Sequence, residues 1–165
     1  MQTDGWEKTT GTLILNIDKK GIVPRVLVGQ KQRGILTGYL TPPGGGFELY
    51  DKNLLATAHR ELLEETGLCG FGERGVAKLN IRIKGSRRQI FIHVFKCTKW
   101  TGCLKMCDEF KWLKFIPISK IPWDQAVPGD RDWMEKVLAG NRLTADIICG
   151  ATRHDLEKIS IEIQP

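Results

Sequence analysis

Arg60-Glu61-Leu62-Leu63-Glu64-Glu65-Thr66-Gly67-Leu68 is the stretch on which the fold of this chain turns. At about 100° per residue, side chains at i, i+3 and i+4 share one narrow face of a helix, so Glu61, Glu64 and Glu65 stand side by side. Just upstream, Leu54, Ala58 and Leu62 recur every four residues, with Leu55 beside them, and draw a separate apolar stripe. The spacing predicts a helix over residues 53–66, capped by Asp51 or Asn53 and closed by Gly67 in the left-handed conformation. On this reading the stripe meets the core and the acidic face points away from it. Like charges at that spacing repel by a few tenths of a kcal/mol. Two explanations stand: the face is simply solvated, or it gathers hard divalent cations, which take carboxylate oxygens and bridge them to phosphate.

Residues 32–46, which lead towards this helix, hold seven glycines and prolines, including Pro42-Pro43-Gly44-Gly45-Gly46, and are predicted to be loop. A backbone without side chains lets a ligand come close. The run lacks the GxxxxGK[ST] pattern of a P-loop, so phosphates would be held through metal ions rather than by a backbone cradle.

Around this centre the pattern alternates between strand and helix. Residues 12–17 and 25–29 read as strands, and residues 79–83 and 90–95 as a hairpin about Gly85-Ser86. A further strand is predicted over 111–118, a second helix over 130–139 closed by Gly140, and short strands near 145–148 and 159–163. The expected class is α/β (or α+β), with a sheet at the centre and helices packed on it.

The chain has 165 residues, enough for one compact domain spanning 1–165, with an ordinary globular content of 41% apolar and 27% charged residues. A net charge of +6 favours anionic partners such as nucleotides, nucleic acid or membrane headgroups, or else serves solubility alone. The five cysteines are odd in number and irregularly spaced, which argues against a disulfide framework and for a reducing compartment. Cys97, Cys103 and Cys107 lie near one another but form no CxxC pair, so buried or incidental thiols are expected in preference to zinc. Neither a signal-type apolar segment nor an uninterrupted apolar run of about 18 residues occurs; a cytoplasmic protein without a membrane partner is expected.

Residues 44–68 resemble the Nudix box: glycine, five residues, Glu, seven residues, then R-E-U-x-E-E-x-G-U, where U is aliphatic. Arg60, Glu61, Leu62, Glu64, Glu65, Gly67 and Leu68 fill every specified position of the second half. A chance match of those seven in such a chain is on the order of one in 10⁵. The first half departs, with Lys52 at the upstream glutamate position when counted back from Arg60. Counted forward from Gly45, that position holds Asp51, and one residue is inserted before Arg60. We take Asp51 as the substitute acid that supports Arg60, which a lysine would repel.

The likeness continues outside the box. Residues 25–34 are similar to the strand and basic turn of MutT-type oxidised-purine nucleotide hydrolases. Glu109 resembles the late metal-binding glutamate, and residues 112–122 the strand after it. Pro128, Asp130 and Trp133 resemble a P-x-D-x-x-W segment whose aspartate contacts the base, whereas Thr41 and Val127 replace the asparagine and tryptophan found there.

The resemblance implies a Nudix α/β/α sandwich with a central mixed sheet. It also implies hydrolysis of nucleoside di- or triphosphates, releasing a nucleoside monophosphate and pyrophosphate from a triphosphate, and oxidised purine nucleotides such as 8-oxo-dGTP are among the substrates it suggests. Mg²⁺ or Mn²⁺ would be held by Glu61, Glu64, Glu65, the Gly44 carbonyl and Glu109, with Glu61 or Glu65 as general base. Lys31 or Arg33 would meet phosphates, and Asp130 would either contact the base or cap a helix. Trp6, Trp112, Trp123, Trp133 and Tyr39 are stacking or core residues. Three alternatives stay open: another diphosphate-linked compound, such as a dinucleoside polyphosphate or nucleotide sugar; an RNA 5′ end drawn to the basic turn at 84–88; and a non-catalytic nucleotide sensor.

Overall fold

The computed structural model of the protein describes residues 4–165. Its backbone is organised by β1 (Glu7–Asp18), a strand of twelve residues whose side chains are buried on both faces. Ile14 joins one apolar cluster while Leu15 and Ile17 join another, as the period of two along a strand requires. β2 (Arg25–Lys31) repeats this, with Leu27 in the first cluster and Val26 and Val28 in the second.

β1 runs parallel to β7 (Arg88–Cys97) from Glu7↔Arg88 to Asn16↔Cys97 and turns at its far end to pair with β2. β7 forms the predicted hairpin with β6 (Arg74–Ile83), and the turn between them is closed by Arg87 at φ 52. β10 (Arg142–Cys149) lies parallel to β6, and β11 (Leu156–Gln164) flanks it antiparallel. On the other side, β2 pairs with β3 (Leu40–Thr41) and with β9 (Phe110–Pro117). The sheet is therefore mixed, as expected, with longer strands than the sequence pattern delimits.

Residues 32–46 are not all loop. Gly44–Gly46 forms β4, antiparallel to β1 in the register Gly11↔Gly46, Thr12↔Gly45 and Leu13↔Gly44. Three consecutive glycines read as a breaker, yet the first of them is what allows the pairing: a Cβ on Gly44 would collide with the Thr12 carbonyl oxygen. Tertiary contact overrides local propensity.

α1 (Leu54–Thr66) begins where predicted. Asn53, not Asp51, is its cap, its side chain accepting from Ala56 N at 2.8 Å. Gly67 closes it at φ 79, its N–H donating to the Leu63 carbonyl at 2.9 Å. Ala58 and Leu62 pack into the cluster of Ile14, Leu27, Leu68 and Phe110. The expected separation of apolar stripe and acidic face fails at one position, because Glu65 is only 3% exposed. α1 lies across β4 and β1, and the helix face that meets the glycines carries that glutamate inward.

α2 (Asp130–Leu138) buries Trp133, Met134 and Val137 in the larger cluster, on the opposite sheet face from α1. One helix on each face gives the expected α/β/α layering. The cap position is Gly129 at φ 93, so the capping role considered for Asp130 does not hold: Asp130 is the first helical residue. A two-stranded sheet of β5 (Cys69–Gly70) and β8 (Trp100–Thr101), too short for any sequence signal, fastens the end of α1. All five cysteines are free, and no described helix is long and apolar enough to cross a membrane.

Gly44→Ala is expected to lower stability by about 1–3 kcal/mol, the usual cost of an overpacked backbone contact, in chemical denaturation. Gly46→Ala, whose Cβ would meet nothing within 4 Å, should leave the midpoint unchanged.

Candidate active site

Where α1 crosses β4, the glycine strand and the acidic helix face meet at van der Waals distance. A Cβ on Gly45 would fall within the Glu61 carboxylate, so only glycine lets that side chain lie there. The Gly44 N–H donates to Glu65 Oε1 at 3.0 Å. The other oxygen, Oε2, is buried and has no hydrogen-bond partner. A buried carboxylate oxygen left bare is costly and needs a partner. Burial pushes the Glu65 carboxyl up to about 8, against the Gly44 hydrogen bond and the nearby Lys31 charge, which pull it down. Burial raises Glu61 as well, against its hydrogen bond from Arg60.

Arg60 organises the rest. Its Nε and Nη2 donate to the two oxygens of Asp51 at 2.8 and 2.9 Å, and Nη2 also donates to the Gly46 carbonyl at 3.0 Å. Nη1 donates to Glu61 at 2.9 Å and Glu64 at 3.3 Å, and the guanidinium lies 5.4 Å from the Tyr50 ring centroid. Asp51 further accepts from the Glu48 N–H and the Thr57 hydroxyl, each at 2.9 Å. These donors, Arg60 foremost, hold its carboxyl well below the ordinary carboxylate range. The inserted residue is thus taken up in the loop, with Asp51 buried on Arg60 and Lys52 exposed.

A cleft of about 430 Å³ is lined by Glu61, Glu64, Glu65, Gly44, Gly45 and Lys31, with Asp108 and Glu109 opposite the helix. Every residue expected to hold metal lines it, and Asp108 joins them, marked in the sequence only by its place beside Glu109. Lys31 Nζ lies 2.9 Å from Glu109 Oε2, and the exposed Arg33 lies 3.3 Å from Asp108. Among the described residues, no three metal-binding side chains are grouped tightly enough to enclose an ion as they stand. Arg60 draws Glu61 and Glu64 to itself, Lys31 draws Glu109, and Gly44 anchors Glu65. The fit to a cation rests instead on the bare Glu65 oxygen and on five carboxylates facing one lysine.

A second cavity, of about 470 Å³, opens from the first and shares Lys31, Gly44, Gly45, Glu65 and Glu109. Its walls include Leu13, Ile35, Leu36, Ile90 and Ile92, with hydroxyls from Thr9 and Thr41. Strand alternation alone could not show that these side chains share a pocket. Asp130 is not among the lining residues. It is 5% exposed, and one of its carboxylate oxygens accepts from Trp133 Nε1 at 3.0 Å and pairs with Arg153 at 3.3 Å. The aromatic candidates also lie off the cavity: Trp133 is fully buried, Trp112 and Trp123 pack on the larger core, and Tyr39 stacks on His154 at 4.9 Å. In the basic turn, Lys84 pairs with Glu157 and Arg88 with Glu7, while Arg87 donates to the neutral Asp4 carbonyl and keeps its charge.

The carboxylate cleft under a glycine strand opens onto an apolar pocket, and comparison with known proteins gives the class. The NUDIX domain profile matches residues 7–137, and the chain belongs to the Nudix family of hydrolases. Among its relatives are the oxidized purine nucleoside triphosphate hydrolases of Danio rerio, 29% identical over 72% of this chain and 74% of that protein, and of Mus musculus, 28% identical over 69% and 72%. The fold is also that of the MutT protein from Bacillus halodurans, with a TM-score of 0.80 and 23% identity, covering 95% of this chain and 99% of that one. The Nudix domain of Shewanella oneidensis NrtR, solved with ADP ribose, gives a TM-score of 0.69 at 14% identity over 80% and 87%.

Because Glu65 titrates near 8 in the fold against an ordinary 4.5, its contribution to stability is full below about pH 4.5 and is lost as pH rises through about 8. In chelator, the wild-type melting temperature should fall relative to Glu65→Gln between pH 5 and pH 8 by more than about 4 °C. Parallel pH profiles of the two proteins would show that Glu65 is not desolvated as described.

Proposed function

We propose that the protein hydrolyses nucleoside triphosphates, purine and oxidised purine forms among them, to the nucleoside monophosphate and pyrophosphate. The observation that carries this reading is the buried, unpartnered Glu65 oxygen at the junction of an acidic cleft and an apolar pocket of base-accommodating size. Glu61, Glu64, Glu65 and Glu109, with the Gly44 carbonyl, would hold Mg²⁺ or Mn²⁺. Bound there, the cations supply neutralisation of the polyphosphate and acidification of a water molecule.

The chain's own residues do the rest. Ile35, Leu36, Ile90 and Ile92 exclude water from one side of the nucleoside and offer it apolar contact. Lys31, shared by both cavities, brings one positive charge to the phosphate path. Glu61 or Glu65 accepts the proton of the attacking water. Arg60 is a positioning residue: it fixes Glu61 and Glu64 and ties them through Asp51 to the loop before α1. Kinship with enzymes named for oxidised purine nucleoside triphosphates supports the substrate class, while Thr41 and Val127 depart from the base-contact residues of the resembled pattern.

Product analysis over dNTPs, 8-oxo-dGTP, dinucleoside polyphosphates and capped RNA, with Mg²⁺ and with Mn²⁺, tests the reading. A triphosphate should yield monophosphate and pyrophosphate, and Glu61→Gln and Glu65→Gln should each lower kcat by about 100-fold or more without loss of fold. Failure of the wild type to cleave any of these with either metal would leave only nucleotide binding. Gly45→Ala, which displaces the Glu61 carboxylate, should lower kcat about tenfold or more while shifting the melting temperature little.

A further inference from the structure

Beyond the catalytic cleft, the strands of the sheet gather a second set of charges. Along β7, Ile90 and Ile92 line the apolar pocket, whereas Lys96, about 13 Å further along the strand, and Thr98 just past its end line a different cavity. Lys19, just past β1, Arg74 at the start of β6 and Arg142 at the start of β10 complete its basic lining. The cavity measures about 400 Å³ and shares no lining residue with the catalytic cleft or its pocket.

Three features set this cluster apart from a solvated basic surface. Arg74 and Lys96 are direct partners in the β6–β7 register, so two cations project from opposed positions on one face, where like charges are unfavourable. Among the described residues no carboxylate lines the cavity. The two acids nearest in sequence are engaged elsewhere, Asp18 with Arg25 and Glu73 with His59 at 2.7 Å. Finally, Gly72, Gly75 and Gly140 stand at the cavity, and at none of them would a Cβ meet another atom within 4 Å, so the mouth is clear. Burial, with the neighbouring charges of Lys19 and Arg74, lowers the Lys96 ammonium from its ordinary range.

We propose that this cavity is a second anion site, distinct from the catalytic cleft, that takes a compact phosphate group: inorganic pyrophosphate or the phosphate chain of a nucleotide. Two guanidinium forks suit bidentate contact with phosphate oxygens, and two ammonium groups add unoriented charge. A multiply charged anion relieves the opposition of Arg74 and Lys96, which a single chloride would only halve. The inference does not depend on the reaction proposed above, since the two sites share no residue.

The test is calorimetric titration of sodium pyrophosphate into the full chain in EDTA, so that no divalent cation loads the acidic cleft. Wild type and Glu65→Gln should bind one equivalent with equal affinity. Arg74→Gln/Lys96→Gln should bind at least tenfold more weakly, as should Arg142→Gln, an exposed change on another strand. Without anion, the double variant should melt no lower than wild type, and it should lose the rise in melting temperature that pyrophosphate gives wild type. Its hydrolytic rate at low anion should be unchanged. Competition by ATP in EDTA would identify the nucleotide source, and its absence the inorganic one; either outcome supports the site. Equal pyrophosphate affinity in wild type and both variants would overturn it. So would a single-stranded RNA 12-mer that binds tenfold tighter than pyrophosphate and is lost in the double variant, since the surface would then serve nucleic acid.

Discussion

The approach of α1 to a strand made only of glycine is the contact on which the site depends. A side chain at Gly45 would occupy the space of the Glu61 carboxylate, and one at Gly44 would strike the backbone of β1. Removing those side chains brings a helix face within hydrogen-bond reach of a strand's N–H groups and takes a carboxylate out of water with it. Desolvation follows from that closeness, and the raised Glu65 carboxyl and its bare oxygen follow from desolvation. The glycine run and the acidic motif are two halves of one device, separated in sequence by the loop and most of the helix.

Arg60 makes the device tolerable. Three glutamates on one helical turn repel, and two of them are held by its Nη1, while its other nitrogens grip Asp51 and the Gly46 carbonyl. The guanidinium thus spans the strand, the loop and the helix at once. This explains how one inserted residue can be absorbed without disturbing the glutamates. What must be conserved in space is an acid opposite Arg60, and Asp51, anchored by Glu48 and Thr57, reaches it from the longer loop.

The sheet distributes charge between its ends. The cleft beneath α1 carries a surplus of carboxylates, and the cavity bordered by Lys19, Arg74, Lys96 and Arg142 carries cations alone among its described lining residues. The apolar pocket that opens from the cleft and the basic cavity both draw on β7, at positions several residues apart. Over that separation, at physiological ionic strength, exposed charges are largely screened from one another, so each end can serve its own ligand.

Much of this was written in the chain. The helix with its cap and closing glycine, the hairpin, the second helix and the acidic constellation follow from periodicity and side-chain chemistry, because these are short-range properties. Asp51 as the partner of Arg60 followed from the resemblance to the Nudix box, with charge deciding against Lys52. Tertiary structure alone decided that glycines read as loop would form a strand, that Glu65 would turn inward, and that Asp130 would meet Arg153 and Trp133. It alone assembled Leu13, Ile35, Ile90 and Ile92 into one pocket, and four distant cations into another. The reason is physical: sequence fixes which face of an element is apolar or charged, but a pocket or a buried charge is a property of what lies opposite, and that is set only when the elements pack.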